Sequence, residues 1–305
     1  MSTPLIFSTQ AYEYLAAEVT VIARAERGSV ERKQFPDGER YQRIVSEVAQ
    51  RDVVLIGGTI SDADTLELYD LASGLVQCGA GTLTLVIPYF AYSTMERPVK
   101  AGEVVTAKVR ARLLSSLPPA ISGTRILLLD LHSEGIPFYF EGAMHTRHLY
   151  AKKLVIKAAR TMHREKLMMA CTDAGRAKWV ESLANDLGVP ASFVFKRRLD
   201  GRRTEITAVS GGVAGQNVII YDDMIRTGSS LLNAAKAYRD AGAASVAAIT
   251  THGIFPGDAL KKIEQSALLD QIVCTDSHPN ALKLKGRFLQ VISLAELFAA
   301  AIDRP

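Results

Sequence analysis

Two adjacent carboxylates in the second half of the chain directly follow a short apolar run. The run, residues 218–221, has the length of one buried strand, and Asp222 and Asp223 come next. In open α/β sheets, ligands bind beyond the carboxyl ends of the strands. Carboxylates at such a position can accept hydrogen bonds from sugar hydroxyls or bind a metal ion.

A hydroxyl-rich segment follows the acidic pair. Residues 227–230 read Thr-Gly-Ser-Ser, and an amphipathic helix is predicted from Leu231 to Asp240. Hydroxyls and free backbone N–H groups at a helix N-terminus suit a phosphate monoester. Carboxylates beside a bound phosphate repel it unless they meet hydroxyls or a metal ion, so the two segments together predict a site for a sugar phosphate. The alternative is an ordinary strand, turn and helix with an N-cap at Thr227 or Ser229.

An internal repeat indicates how these residues are positioned. When residues 79–80 are laid on residues 242–243, Leu68 matches Leu231 and both halves read strand, turn, helix, Gly-Ala, strand. This repeat predicts an α/β fold of two similar domains in tandem, each a mainly parallel sheet flanked by helices. The boundary is predicted near His148, which gives domains of residues 1–148 and 149–305.

The same alignment separates the two halves chemically. Thr59 and Ile60 occupy the places of Asp222 and Asp223. The first half therefore keeps the scaffold without the acidic pair, and we expect the sugar-phosphate site only in the second half.

Three further segments have candidate roles. His132 follows a predicted buried strand, residues 126–131, where it could bind a metal or a phosphate, or could cap the following turn. Residues 196–203, KRRLDGRR, form a basic segment with an Asp-Gly hairpin signal. That segment is either a flap over an anionic substrate or a solvated surface. Residues 36–38, Pro-Asp-Gly, predict a surface turn.

Composition sets the broad class of the protein. The chain has 305 residues, 48% of them apolar and 22% charged, with a net charge of +4. A mild positive charge fits anionic metabolites and does not require nucleic acid. Three widely spaced cysteines without a CxxC pattern favour a reducing cytoplasm over a disulfide framework or structural zinc. With no signal peptide and no apolar run long enough to span a bilayer, we expect no membrane association.

Several motifs in the same order resemble those of the ribose-phosphate diphosphokinase (PRPP synthetase) family, from about Phe35 to Asn280. The family is built of two tandem phosphoribosyltransferase-like domains, and the resemblance implies transfer of the diphosphoryl group of ATP to ribose 5-phosphate with Mg²⁺. The motifs that carry it are Phe35-Pro36-Asp37-Gly38-Glu39, residues 86–92, Thr106-Ala107-Lys108, Asp130-Leu131-His132, Thr172-Asp173-Ala174-Gly175, Asp222-Asp223-Met224 and Thr251-His252-Gly253.

The resemblance also implies a role for each candidate residue. The expected catalytic residues, on a flexible loop, are Lys196 and Arg198. The expected ligands of the ribose 5-phosphate are Asp222, Asp223, Thr227, Gly228, Ser229 and Ser230, and we add Arg226 because its positive charge lies beside the expected phosphate. ATP is expected at Phe35, Asp37, Glu39, Arg97 and His132, and the metal at His132 and Asp173. In this family the Phe35 segment usually serves a neighbouring subunit, which implies a homo-oligomer.

The chain departs from the family pattern at two places. Thr94-Met95-Glu96 stands where Arg-Gln-Asp is usual, and Arg226 stands where an aspartate is usual. These departures favour one alternative, a weakly active homologue that serves as a regulatory subunit. A second alternative, a phosphoribosyltransferase that consumes PRPP, shares the acidic pair and residues 227–230 but needs only one such domain.

Overall fold

Two six-stranded parallel sheets organise the chain, which is described here by a computed structural model covering residues 3–163, 165–198 and 204–303. The strands are β1 (Leu5–Ser8), β2 (Glu26–Arg27), β3 (Val30–Gln34), β4 (Arg40–Ile44), β5 (Asp52–Ile56), β6 (Thr82–Ile87), β7 (Thr124–Leu129), β8 (Met144–Leu149), β9 (Leu167–Cys171), β10 (Ala191–Ser192), β11 (Val194–Arg198), β12 (Thr204–Val209), β13 (Asn217–Ile225), β14 (Ser245–Gly253), β15 (Ile272–Thr275) and β16 (Leu289–Ile292). The helices are α1 (Glu13–Ile22), α2 (Asp62–Gln77), α3 (Thr106–Ser115), α4 (Lys152–Met162), α5 (Ala177–Leu187), α6 (Ser229–Asp240), α7 (Ala259–Gln265), α8 (Pro279–Lys283) and α9 (Ala295–Ile302).

The two sheets have the same strand order, which confirms the predicted fold class and the internal repeat. The first sheet runs β2-β1-β5-β6-β7-β8 and the second runs β10-β9-β13-β14-β15-β16, with every pairing parallel. Both faces of such a sheet are covered by helices, so its central strands are largely apolar, as in β5 (DVVLI) and β7 (TRILLL). Strand β5 and helix α2 of the first unit correspond to β13 and α6 of the second.

The chain divides into two compact units. The first contains Met1–Tyr150 together with Ser293–Pro305, and the second contains Ala151–Ile292. The first boundary thus lies two residues after the expected position at His148. The last helix differs from the expected domain of residues 149–305, because α9 packs on α1 in the first unit.

Side-chain contacts explain where α9 lies. Phe298 is fully buried, and Arg125 Nη2 donates a hydrogen bond to the carbonyl oxygen of Ile302 at 2.8 Å. Ser293 Oγ donates to Glu18 Oε2 at 2.5 Å. These contacts join residues that are far apart in sequence, so a domain boundary predicted from local patterns does not take them into account.

Two antiparallel hairpins lie outside the two six-stranded sheets. Strands β3 and β4 pair around the predicted Pro-Asp-Gly turn, in which Gly38 has a φ of 95° and its N–H donates to the Phe35 carbonyl oxygen at 2.9 Å. Strands β11 and β12 pair from Val194↔Val209 to Arg198↔Thr204, which confirms the hairpin. Its tip, Asp200-Gly201, lies outside the described residues.

Elements near the acidic pair are longer than predicted. Strand β13 continues through Asp222 and Asp223 to Ile225, because β14 extends to Gly253 and pairs with it at Met224↔His252 and Ile225↔Gly253. Helix α6 begins at Ser229 instead of Leu231. The described chain has no helix long and apolar enough to cross a membrane.

Candidate functional site

The acidic pair lies near the carboxyl end of the central strand of the second sheet. Asp222 is opposite Thr250 of β14, and the preceding Tyr221 is opposite Cys171 of β9. Thr172 Oγ1 donates to Asp222 Oδ2 at 2.8 Å, and the Asp223 N–H donates to Asp222 Oδ1 at 3.0 Å. Both oxygens of Asp222 therefore accept a hydrogen bond from the protein and still have lone pairs to offer.

A cation that sequence reasoning missed contacts both carboxylates. Arg176 Nη2 lies 2.7 Å from Asp223 Oδ2, and its Nε lies 4.0 Å from Asp222 Oδ1. Arg176 follows β9 and precedes α5, and β9 is the neighbour of β13. The strand order brings these residues together, so the only sequence signal was a lone arginine three residues after Asp173.

Burial gives the acidic pair unusual electrostatics. Desolvation, followed by the charge of Asp223, raises the pKa of Asp222 from 3.8 to about 8, while Thr172 and Arg176 act in the opposite direction. Charged carboxylates are costly to bury unless they are paired or hydrogen-bonded. Asp222 therefore keeps its proton at neutral pH, and hydroxyl donors from a ligand would favour its ionised form.

The start of α6 supplies the second half of the predicted site. Gly228 is the N-cap residue, with a φ of 82°, and no side chain caps the helix, so the alternative of an N-cap at Thr227 or Ser229 is wrong. Thr227, Ser229 and Ser230 are exposed, and the hydroxyl oxygens of Thr227 and Ser229 lie 3.3 Å apart. The first-turn N–H groups have no side-chain partner among the described residues, which is the arrangement that an anion requires.

Packing explains why a glycine begins this helix. A Cβ atom at Gly228 would lie 2.5 Å from Ile263 Cδ1 and 2.7 Å from its Cγ1. Its φ is also in the left-handed region that favours glycine. Arg226, two residues earlier, is exposed. Asp222, Asp223 and residues 226–230 therefore lie on one continuous segment from the end of β13 to the start of α6.

Asp173 is the expected metal ligand in the second unit. It is half-buried, and its Oδ1 accepts a hydrogen bond from the Gly175 N–H at 2.9 Å. Across the described ranges no group of three or more His, Cys, Asp or Glu side chains could hold a metal ion. A single oxygen ligand fits Mg²⁺, which binds proteins through one or two carboxylates and takes its other ligands from phosphates and water.

In the first unit, His132 follows β7 at the carboxyl edge of the first sheet and is half-buried. Asp130 has a φ of 35° and donates its N–H to the carbonyl oxygen of Leu149 at 3.0 Å. His148 Nε2 accepts a hydrogen bond from the Leu131 N–H at 2.9 Å. Burial lowers the pKa of His148, which favours the neutral ring that this bond requires. Sequence reasoning did not single out this supporting histidine.

The expected adenine segment forms the turn of the β3–β4 hairpin. Phe35 is 47% exposed, and its ring centroid lies 6.3 Å from that of Tyr41. Asp37 Oδ1 accepts a hydrogen bond from the Glu39 N–H at 3.0 Å. An exposed aromatic ring on a short hairpin is available for stacking on a planar base.

The loop after β6 contains Arg97, whose side chain is 78% exposed and lies 3.4 Å from a carboxylate oxygen of Glu96. Glu103 Oε2 accepts hydrogen bonds from the N–H groups of Val99 at 2.7 Å and Lys100 at 3.0 Å, which lower its pKa. Glu103 therefore folds this loop on itself. Lys196 and Arg198 belong to β11, and their side chains lie outside the described residues.

Domain comparisons agree with this architecture. The model of the N-terminal domain of ribose phosphate pyrophosphokinase matches residues 4–117, and that of the phosphoribosyl synthetase-associated domain matches residues 149–305. A crystal structure of phosphoribosylpyrophosphate synthetase from Mycobacterium smegmatis superposes with a TM-score of 0.86 at 25% identity, and the match covers 99% of this chain and 98% of that one.

Curated relatives match over the full length. The ribose-phosphate pyrophosphokinase of Chlorobaculum tepidum is 30% identical over 307 residues, which cover 100% of this chain and 93% of that protein. The enzyme of the same name from Wolinella succinogenes is 31% identical, with 98% and 94% covered. On these matches, the chain belongs to the ribose-phosphate pyrophosphokinase family.

Proposed function

We propose that the chain transfers the diphosphoryl group of ATP to the C1 hydroxyl of ribose 5-phosphate, giving PRPP and AMP. The observation that carries the proposal is the pairing of Asp222 and Asp223 with an uncapped helix start a few residues later. Relatives over the full length bear the name of this enzyme. Two complete domains also disfavour a single-domain transferase that consumes PRPP.

Ribose 5-phosphate is assigned to the second unit. The two carboxylates would accept hydrogen bonds from the ring hydroxyls, which also offset the cost of burying them. The 5-phosphate would bind the exposed hydroxyls and first-turn N–H groups of residues 227–230, with Arg226 adding positive charge. Holding the sugar at both ends fixes the direction of its C1 hydroxyl, which is how an enzyme lowers the entropic part of the barrier.

ATP is assigned to Phe35, Asp37, Glu39, Arg97 and His132. The exposed Phe35 ring would stack on the base, and the exposed Arg97 would meet phosphate oxygens. By resemblance to the family, the hairpin that carries Phe35 serves a neighbouring subunit, so we propose a homo-oligomer. The three free cysteines support a cytoplasmic location.

The chemistry is a displacement at the β-phosphorus of ATP. The C1 hydroxyl loses its proton to solvent as its oxygen bonds to this phosphorus, the bond from the β-phosphorus to the bridging oxygen breaks, and AMP leaves with that oxygen. Lys196 and Arg198 are assigned to stabilise the charge that spreads over the transferred group, as cations do in phosphoryl transfer. Asp173 would hold Mg²⁺, which neutralises phosphate charge when bound.

One assay tests the proposal. Purified protein is mixed with ATP and Mg²⁺, with or without ribose 5-phosphate, and AMP is quantified by chromatography. AMP that forms only with the sugar phosphate supports the proposal. No AMP from the protein alone, together with stimulation of an active synthetase, would instead identify a regulatory subunit. Consumption of added PRPP with a purine or pyrimidine base would identify a transferase.

A further inference from the structure

The guanidinium of Arg176 contacts the two carboxylates to which the sugar hydroxyls are assigned. It forms an ion pair of 2.7 Å with Asp223 and reaches to 4.0 Å from Asp222. The exposed fraction of the Arg176 side chain is 18%, and that of the Asp223 side chain is 4%. Arg176 Nη2 therefore already occupies a hydrogen-bonding position at Asp223 Oδ2.

The carboxylate oxygens support the same view. Thr172 and the Asp223 N–H already bind the two oxygens of Asp222, and Arg176 covers Asp223 Oδ2. A ring hydroxyl that donates to Asp223 Oδ2 competes with the guanidinium of Arg176 for that oxygen. We propose that Arg176 is a displaceable counter-ion of the acidic pair, and that it weakens the binding of sugar phosphates with both ring hydroxyls relative to those without. This inference rests on the proposed function of the acidic pair.

The reason for such a residue follows from burial. Two adjacent buried acidic groups repel each other when both are charged and lose hydration, and a cation held close favours their ionised form. Hydroxyl donors take over this role when the sugar binds. The ion pair between Arg176 and Asp223 must then be broken. The net affinity for the sugar is therefore the free energy gained from the hydroxyl hydrogen bonds minus the free energy lost with the ion pair.

Substitution of Arg176 should therefore strengthen sugar binding. In Arg176→Gln the guanidinium no longer competes for Asp223 Oδ2, and the carboxylates gain more from hydroxyl donors. We expect ribose 5-phosphate to bind about tenfold tighter, a change equivalent to about 1.4 kcal/mol. 2-Deoxyribose 5-phosphate displaces the guanidinium less completely, so its affinity should rise by a smaller factor. Arg176→Lys keeps a charge and should give intermediate values.

The experiment is isothermal titration calorimetry on the full chain at about pH 7 and about pH 9, because Arg176 lowers the pKa of Asp222 and its removal changes the protonation of that group. Wild type, Arg176→Gln and Arg176→Lys are titrated with ribose 5-phosphate, 2-deoxyribose 5-phosphate and inorganic phosphate. Inorganic phosphate reports on residues 227–230 and should bind all three proteins equally. A merely structural role of Arg176 would weaken all three ligands together, whereas displacement changes the ratio of the two sugar affinities.

Each result has one meaning. Tighter ribose 5-phosphate binding in Arg176→Gln, with a larger ratio of ribose to deoxyribose affinity, supports the inference. An unchanged ratio, or weaker binding of ribose 5-phosphate, overturns it. If Arg176→Gln does not fold, Arg176→Lys decides in the same way. Wild-type protein that binds neither sugar phosphate overturns the proposed function itself, which is distinct from a wild type that binds while the ratio stays constant.

Discussion

The Nε2 atom of His148 accepts a hydrogen bond from the backbone N–H of Leu131 at 2.9 Å. This bond joins β8 to the segment that places His132 at the edge of the first sheet, next to a backbone turn in which Asp130 has a φ of 35°. The ring of His148 also lies against Tyr150, with centroids 4.2 Å apart. His148 is thus a positioning residue for the predicted nucleotide-binding histidine.

We predict that His148→Phe destabilises the first unit at about pH 8 and loses part of this penalty in acid. The variant leaves the Leu131 N–H without an acceptor, which costs about 1–3 kcal/mol. Burial lowers the pKa of His148, so the unfolded chain takes up a proton first as the pH falls below its ordinary value of 6.5. As the pH falls, the wild type therefore loses stability through protonation of His148 in the unfolded chain, and the His148→Phe variant does not.

Urea unfolding of both proteins between about pH 8 and pH 5 tests this prediction. The stability difference should shrink as the pH falls. A difference that is constant with pH would show that His148 does not act through its neutral ring. His163 also has a pKa lowered by burial, but it is present in both proteins and cancels in the difference.

Gly228→Ala should damage both stability and phosphate binding. Its φ of 82° costs an alanine about 1–2 kcal/mol, and the added Cβ atom would lie 2.5 Å from Ile263 Cδ1. Displacement of Ile263 or of the helix start adds about 1–3 kcal/mol, as overpacked cores do. Because the first-turn N–H groups of α6 move with Gly228, affinity for inorganic phosphate should fall as well.

Gly242→Ala is the matched control for this variant. Gly242 has a similar φ of 86°, but a Cβ atom there would lie no closer than 3.6 Å to its nearest neighbour, Ala214. It should therefore show the backbone cost without the crowding and without any loss of phosphate affinity. Thermal unfolding and calorimetry of both variants provide the comparison, and equal effects at the two glycines would refute the role of Ile263.

Part of this site can be predicted from the sequence and part cannot, for a physical reason. Asp222, Asp223 and residues 227–230 are close along the chain, so their spacing alone predicts that they meet. The partnership of Arg176 with Asp223 depends on β9 lying beside β13, and that order is fixed by packing across the whole sheet. The placement of α9 with the first unit depends in the same way on contacts between distant residues, such as that of Arg125 with Ile302.

Asp222→Asn should become more stable relative to the wild type as the pH rises. Burial and Asp223 raise the pKa of Asp222 from 3.8 to about 8, so between these values the unfolded chain is ionised there while the folded protein keeps the proton. Wild-type stability consequently falls across this window, by at most about 1.4 kcal/mol per pH unit. Asparagine has no proton to lose and can still accept the hydrogen bond from Thr172.

Chemical unfolding from about pH 4 to pH 9 measures the difference between the two proteins, which should grow up to about pH 8 and then level off. Asp258→Asn is the control: Asp258 has a lowered pKa from its contact with Lys262, so it is ionised in both states over most of this range. The difference in unfolding free energy between Asp258→Asn and the wild type should stay constant above about pH 5. A flat difference for Asp222→Asn would mean that Asp222 is ionised in the folded protein throughout.

Lys196→Ala should lower kcat steeply while ribose 5-phosphate still binds. Lys196 lies on β11 of the basic hairpin, and the resemblance to the family assigns it to the transition state and not to the sugar. Removal of one such cation costs about 3–4 kcal/mol of transition-state stabilisation, by analogy with single oxyanion donors, which is a hundredfold or more in rate. Steady-state AMP formation gives kcat, and calorimetry gives the affinity for ribose 5-phosphate.

Lys236→Ala, on the exposed face of α6, is a control that should leave both values unchanged. An unaltered kcat in Lys196→Ala would remove the hairpin from the catalytic assignment, since an interaction made only in the transition state must appear in kcat.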